Sequence, residues 1–141
     1  TDEQIREAAE IAQASDFIAE KKEGYDSAIA QGGSNVSGGQ KQRLAIARAI
    51  AKQPQVFIFD DSFSALDFKT DSALRKALKA HTKDATTIIV AQRISTILNA
   101  DKIIVLDDGH MAGIGTHKEL MKNCEVYQEI ALSQLSKAEL A

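Results

Sequence analysis

Proline is nearly missing. Pro54 is the only one in 141 residues, so the chain has no Pro-rich linker. Cysteine is as scarce: a lone Cys124 excludes an internal disulfide framework and a cysteine-rich zinc site, and fits a reducing compartment. Basic charge is not in excess. Lys and Arg number 17 against 20 Asp and Glu, a formal charge of −3, which gives no electrostatic reason to expect nucleic acid or an acidic membrane surface as partner. No apolar run approaches the ~18 residues of a membrane span, and no signal-peptide pattern is present. Repeats and low-complexity stretches are also absent. What remains is ordinary globular composition, 44% hydrophobic and 26% charged. The length corresponds to about one domain at ~150 residues per domain, enough to bury a core. The first residue is Thr1 rather than Met, which points to a piece of a longer chain.

Three short apolar runs stand out: Val56–Phe59, Ile88–Ala91 and Ile103–Leu106. They are β-branched and aromatic and too short for helices. Their continuous apolarity predicts strands buried on both faces, as in a parallel sheet under helices. Helical patterns surround them. Thr1-Asp2 caps a helix through about Ala14 with Ile5, Ala8, Ala9 and Ala12 on one face, and a short helix follows from Asp16. Gln40–Lys52 reads as a helix with Leu44, Ala47 and Ile50 or Ala51 inward, stopped by Pro54; Thr70–Ala80 carries Leu74, Ala77 and Leu78 on a stripe. Thr116–Glu119 has capping-box spacing, and Glu125–Leu135 continues helically with Val126, Ile130 and Ala131 inward. Asp107-Asp108-Gly109 reads as a hairpin turn into Met111–Ile114. The order, helices first and then strand–helix units, is α/β with an all-helical N-terminal patch.

Two stretches carry the chemistry. Asn35-Val36-Ser37-Gly38-Gly39-Gln40 runs directly into a helix. A serine and two glycines at a helix start offer a hydroxyl and free backbone N–H groups at the positive end of the helix dipole, a ready phosphate site; a flexible turn with a serine cap is the simpler alternative. Val56–Phe59 ends in Asp60-Asp61. Carboxylates at the carboxyl end of a parallel strand lie where open α/β sheets bind ligands. There Asp60 would hold Mg²⁺ through oxygen or water contacts, and Asp61 could sit beside an attacking water. Acidic residues also simply end strands.

Taken together, Ser37-Gly38-Gly39-Gln40, then Val56–Asp61, then Ser64-Ala65-Leu66-Asp67 resemble the ATP-binding cassette (ABC) family, in whose terms they are the signature motif, Walker B and the D-loop. Ser27–Gly33 resembles the loop that touches the transmembrane coupling helices in exporters, with Gln31 at the usual acidic position. Ala91–Ile97 looks like the exporter switch loop, and Gly115–Leu120 is also exporter-like. The resemblance spans nearly the whole chain and implies a P-loop NTPase (RecA-like) fold with a parallel sheet core, present in part and preceded by an α-helical subdomain. It implies residues 1–53 as the helical subdomain with the signature, and residues 54–141 as the second part of the ATPase core with C-terminal helices. It further implies ATP and Mg²⁺ as ligands, with Ser37, Gly38, Gly39 and Gln40 binding ATP, Asp60 the metal, Asp61 and Gln92 catalytic, and Ser64, Ala65, Leu66 and Asp67 linking two sites across a dimer. The implied partners are a second nucleotide-binding domain, identical or not, and a transporter's transmembrane domain at the cytoplasmic face of the cell membrane, with no nucleic acid.

None of the eight glycines is followed by lysine, so the G-x-x-x-x-G-K-[ST] phosphate loop is absent. In the family it lies upstream, which makes this chain the C-terminal part of a nucleotide-binding domain. Two family positions depart from the hydrolytic pattern. The residue after Asp60 is usually Glu and here is Asp61, one methylene shorter; a misplacement of ~1 Å can cost ~10²-fold in rate. The switch position is usually His and here is Gln92, which still donates a hydrogen bond but carries no charge. Val36 stands for the usual Leu. The expectation is one half of a heterodimeric exporter: a sound signature serving the partner's ATP and a weakened site of its own. The alternatives are an ATP-dependent dimer clamp with little hydrolysis, or a non-transport cassette protein. The isolated chain is expected to be inactive and to leave a sheet face or edge unfilled. His81, His110 and His117 lack metal-ligand spacing and are read as surface or capping residues, Cys124 as a small helix-start residue. Lys41-Gln42-Arg43 either approaches the partner's nucleotide or faces water.

Overall fold

A computed structural model describes residues 1–135; the last six residues of the expected 54–141 region lie outside it. The contacts divide the chain into two compact units, with the break after Ile88, a place different from the functional boundary expected at 53/54.

The first unit begins with α1, Asp2–Ile11, and α2, Ser15–Ala19. Thr1 caps α1 in a full capping box with Gln4, so the expected start is met, but the helix ends at Ile11 rather than near Ala14. Gln13 takes a positive φ of 57° there and breaks the run. α3, Gly38–Ala51, starts two residues earlier than the apolar pattern indicated because Ser37 is its N-cap. Its buried residues are Ile46 and Ile50, while Leu44 and Ala47 are half-buried. α1 packs along α3, and Ala9, Ala14, Phe17 and Ile18 form a small core against Leu44. Arg43 reaches across to donate to the Gln13 carbonyl at 2.6 Å and lies over the Phe17 ring, which settles this cation into the helical patch. Strand β1 is Val56–Asp60 and β2 is Thr86–Val90. They pair side by side as parallel strands, joined through α4, Phe68–His81, the crossover that a parallel pair requires. Leu74 and Leu78 are the buried residues of α4.

β1 corrects one expectation. It is not buried on both faces: Phe57 and Phe59 are buried, whereas Ile58 is 68% exposed and Val56 50%. β2 is exposed over most of its length, Ile88 and Val90 included. A strand apolar on both sides is built for two covering layers. Among the described residues only the Phe57–Phe59 side of β1 has one, and the other is left as the unfilled face the sequence foretold.

The second unit holds α5, Ile94–Ile97; β3, Ile103–Asp107; β4, His110–Gly115; α6, His117–Asn123; and α7, Glu125–Gln134. β3 and β4 form the expected antiparallel hairpin with Asp107 opposite His110. Asp108 and Gly109 both take positive φ, 48° and 78°, as a two-residue hairpin turn of matching twist demands. Ile103 and Val105 face the core while Ile104 and Leu106 are exposed, again one covered face rather than two. That core gathers Ile94, Ile103, Val105, Leu120, Cys124, Tyr127 and Ala131. Tyr127, which the helical pattern did not single out, is its bulkiest fully buried side chain, and Ile130 points out. No described helix is long and apolar enough to cross a membrane.

Candidate functional site

The start of α3 is held open by its own side chains. Ser37 Oγ accepts from the Gln40 N–H at 3.2 Å, and Gln40 Oε1 accepts from the Ser37 N–H at 3.0 Å. This capping box uses the serine oxygen as acceptor and leaves its proton to donate. The Gly38 and Gly39 N–H groups precede the first intrahelical bond and point along the helix dipole. Two backbone donors and one hydroxyl therefore converge on one end of a 14-residue helix. Gly39 lets helix and turn approach closely: a Cβ there would lie 3.0 Å from the Ala65 carbonyl oxygen, which would have to give by a few tenths of an ångström. The upstream loop is shaped by Asn35, whose amide donates to the Ala28 carbonyl and accepts from the Ala30 N–H.

β1 delivers Asp60 and Asp61 to its carboxyl end, both exposed. Asp61 adopts a φ of +46°, a conformation uncommon for any residue with a Cβ but less so for aspartate. The chain turns here, and its carbonyls are taken up locally. Ser62 Oγ donates to the Asp60 carbonyl at 3.3 Å and Ser64 Oγ to the Asp61 carbonyl at 3.1 Å. Gln42, on α3, does more. Its Nε2 donates to the Asp61 carbonyl at 3.1 Å and to Ser64 Oγ at 3.0 Å, and its Oε1 accepts from the Ala65 N–H at 2.9 Å. Of the two roles left open for this residue, neither is its main occupation. Leu66 is buried. Asp67 caps α4, accepting from the Thr70 N–H at 2.9 Å and the Thr70 hydroxyl at 2.6 Å, and these bonds hold its carboxyl below the usual carboxylate range. The structure thus brings Ser37–Gln40 and the Asp61–Asp67 segment together, with Gln42 and Ala65 as the points of contact.

Gln92 and Arg93 belong to the second unit. Gln134, at the end of α7, donates from Nε2 to the Gln92 carbonyl at 2.9 Å and accepts at Oε1 from the Ile94 N–H at 2.9 Å. One amide thereby fixes the backbone on both sides of Arg93. A cleft of about 290 Å³ lies beside it, lined by Arg93, Ser95, Gln134 and Leu135. His117 is not a plain surface residue: its Nδ1 is 2.8 Å from the hydroxyl of buried Tyr127. Cys124 is buried between α6 and α7. Sequence reasoning missed Gln42 and Gln134 as structural clamps. Their partners lie 19 to 42 residues away, and a glutamine in a helix gives no local sign of such a reach. No cluster of three or more His, Cys, Asp or Glu that could hold a metal occurs among the described residues.

The family model described as ABC transporter matches residues 2–64. That stretch contains the α3 start and the Asp60-Asp61 turn just described. An ABC transporter ATP-binding protein of Mycobacterium tuberculosis is 46% identical over 95% of this chain. These matches support an ABC nucleotide-binding-domain fragment. Its sequence is nucleotide-binding-domain sequence, and its fold is that of the P-loop NTPases, present in part. A protein of Staphylococcus aureus named for multidrug export, an ATP-binding/permease protein, is 46% identical over 92% of this ABC chain. Among solved structures, a bacterial Atm1-family ABC exporter with ATP bound superimposes with a TM-score of 0.91 at 37% identity over 98% of the chain. The ABC chain spans about a quarter of the length of these relatives: 23% of the mycobacterial protein, 22% of the staphylococcal one and 24% of the exporter.

Proposed function

We propose that this chain is the signature-to-switch part of the ATPase motor of an ABC exporter, with residues 1–53 as helical subdomain and residues from 54 on as the second part of the ATPase core. The observation that carries it is the start of α3, where the Ser37 proton and the Gly38 and Gly39 N–H groups are presented together. Such a donor set suits a phosphate that carries full charge. It serves ATP held mainly by a second nucleotide-binding domain, as the resemblance to the ABC family implies. Gln40, locked in the capping box, orients the helix start. Ser64, Ala65, Leu66 and Asp67 then line the dimer contact, and the D-loop's position against Gly39 follows the signature when it engages nucleotide. The S. aureus and Atm1-family relatives, named for export, support a transmembrane domain as the other partner and the cytoplasmic face of the membrane as the location.

The residues present fit a magnesium ion. Asp60 offers an exposed hard-oxygen ligand at a strand end, suited to a cation that keeps several waters. When bound, the ion neutralises phosphate charge. Asp61, next in sequence, orients the attacking water, and Gln92 donates to the γ-phosphate. Both are weak versions of the family's Glu and His, so this half binds ATP and turns it over slowly. The experiment is calorimetry with ATP on the chain alone and mixed with a complete nucleotide-binding domain. The expected outcome is no binding alone and tighter nucleotide retention in the mixture; tight binding by the chain alone refutes the reading. In the full-length transporter, Asp61→Glu with Gln92→His should raise ATP turnover about 10²-fold, the order expected from restoring a misplaced group. Changed transport with little gain in turnover would favour a clamp.

A further inference from the structure

We propose that Gln42 is a positioning residue that makes the signature helix and the Asp61 turn move as one body. This rests on the reading of Ser37–Gln40 and Asp61 given above and extends it to how the two are coupled. Gln42 lies on α3 within the turn that follows Ser37–Gln40. Its amide is used at both ends: the nitrogen serves the Asp61 carbonyl at 3.1 Å and Ser64 Oγ at 3.0 Å, and the oxygen takes the Ala65 N–H at 2.9 Å. An amide with both donor protons and its acceptor engaged has one orientation only. Ser64 Oγ closes the ring by donating to the same Asp61 carbonyl. The Asp61 carbonyl thus accepts two hydrogen bonds, which fix its peptide plane and hold the φ of +46° that aims the carboxylate. A second contact is tight as well: a Cβ at Gly39 would lie 3.0 Å from the Ala65 carbonyl oxygen, so helix and turn would have to part by a few tenths of an ångström to admit it. A shift of α3 on engaging a phosphate is therefore delivered to Asp61 through bonds of fixed geometry rather than through loose packing.

The variants separate coupling from simple support. Gln42→Glu keeps an acceptor for the Ala65 N–H and loses the donors to Asp61 and Ser64. Gln42→Leu loses both. Ser64→Ala keeps the Gln42–Asp61 and Gln42–Ala65 bonds and removes the bridge. Amide hydrogen exchange on the full chain should show Ala65 roughly 5-fold or more faster in Gln42→Leu, the worth of one ordinary hydrogen bond, and near wild type in Gln42→Glu. In the full-length transporter, Gln42→Glu should lower kcat for ATP about 10-fold or more while KM stays within about 2-fold, as for a misplaced group that does not contact nucleotide. Unchanged Ala65 exchange in Gln42→Leu overturns the proposal. So does an unchanged kcat in Gln42→Glu when Asp61→Asn lowers it. If Asp61→Asn itself leaves turnover untouched, the assignment of Asp61 fails instead, and the clamp stands or falls on the Ala65 exchange alone.

Discussion

Two loops carry the side chains proposed above as catalytic, and the chain secures them by the same device with different reach. In the first unit the Asp61–Ala65 turn is gripped by Gln42, from a helix that precedes it in sequence. In the second unit the Gln92–Ile94 segment is gripped by Gln134, from a helix that follows it. Each amide bonds backbone only, or backbone and one hydroxyl, and so leaves the Asp61 and Gln92 side chains unspent. They differ in support. The Asp61 turn is additionally braced by Ser62 and Ser64 and by Gly39 against Ala65, whereas Gln134 acts beside an open cleft. Both segments are thus held by their peptide groups, and the number of braces sets how rigidly the side chains between them are presented.

The largest expected effect tests whether the cores beneath the two loops are equally firm. Tyr127→Ala removes a side chain 1% exposed and leaves His117 Nδ1 without its partner. It should cost about 3–5 kcal/mol in urea denaturation. Leu74→Ala, at 0% exposure in the first unit, should cost about 2–5 kcal/mol. A cost under about 1 kcal/mol for either would place that core among sites that collapse around a cavity. Smaller, and aimed at the clamps, is Gln134→Leu. It should destabilise by about 1 kcal/mol because the part-buried Ile94 N–H loses its acceptor, while the exposed Gln92 carbonyl can turn to water, with faster exchange of the Ile94 amide as the specific sign. Exchange as slow as wild type would remove Gln134 from the comparison.

The smallest effect compares the capping carboxylates. Asp67 is held below its ordinary value of 3.8, chiefly by the Thr70 hydroxyl and then the Thr70 N–H. Glu119, in the second unit, is held below its ordinary 4.5, chiefly by the Thr116 N–H and then the Thr116 hydroxyl. For a depressed carboxyl, the stabilisation is fully present above the unfolded-state value and is lost as pH falls through the lower folded-state value. Both caps should therefore be intact at neutral pH and weaken only in acid, below about pH 4. Carboxyl carbon shifts followed by NMR should give midpoints below the ordinary values at both residues. An ordinary midpoint at one of them would mean that its cap is not populated in solution.

Much of this was legible in the residues, and the boundary has a physical cause. Local hydrogen bonding writes itself into sequence: the caps at Thr1 and Ser37, the capping box at Thr116 and the Asp108-Gly109 turn follow from residues at most three positions apart. Ser37–Gln40 was legible as a helix start and Asp60 as a strand end, because a cap and the end of an apolar run need particular residue types in particular order. Gln42 and Gln134 were not, since an amide's partner is chosen by tertiary proximity. The apolar runs misled on burial for a related reason. Val56, Ile58, Ile104 and Leu106 record two covering layers, and the described residues provide one. Tyr127 escaped notice because the apolar stripe of α7 drew attention to Val126 and Ile130, while the tyrosine carries a polar end that finds His117.

The Asp108-Gly109 turn also bears on the order of events as the polypeptide first gains its shape. β3 and β4 pair residues 103 to 115 with almost no intervening loop, so bringing them together costs little loop-closure entropy. Hairpins of this kind close in about 1–10 μs, well before contacts distant in sequence are made. The turn therefore acts as a starter: its zipped ladder presents Ile103 and Val105 as a ready surface on which Leu120, Tyr127 and Ala131 condense when the helices behind them arrive.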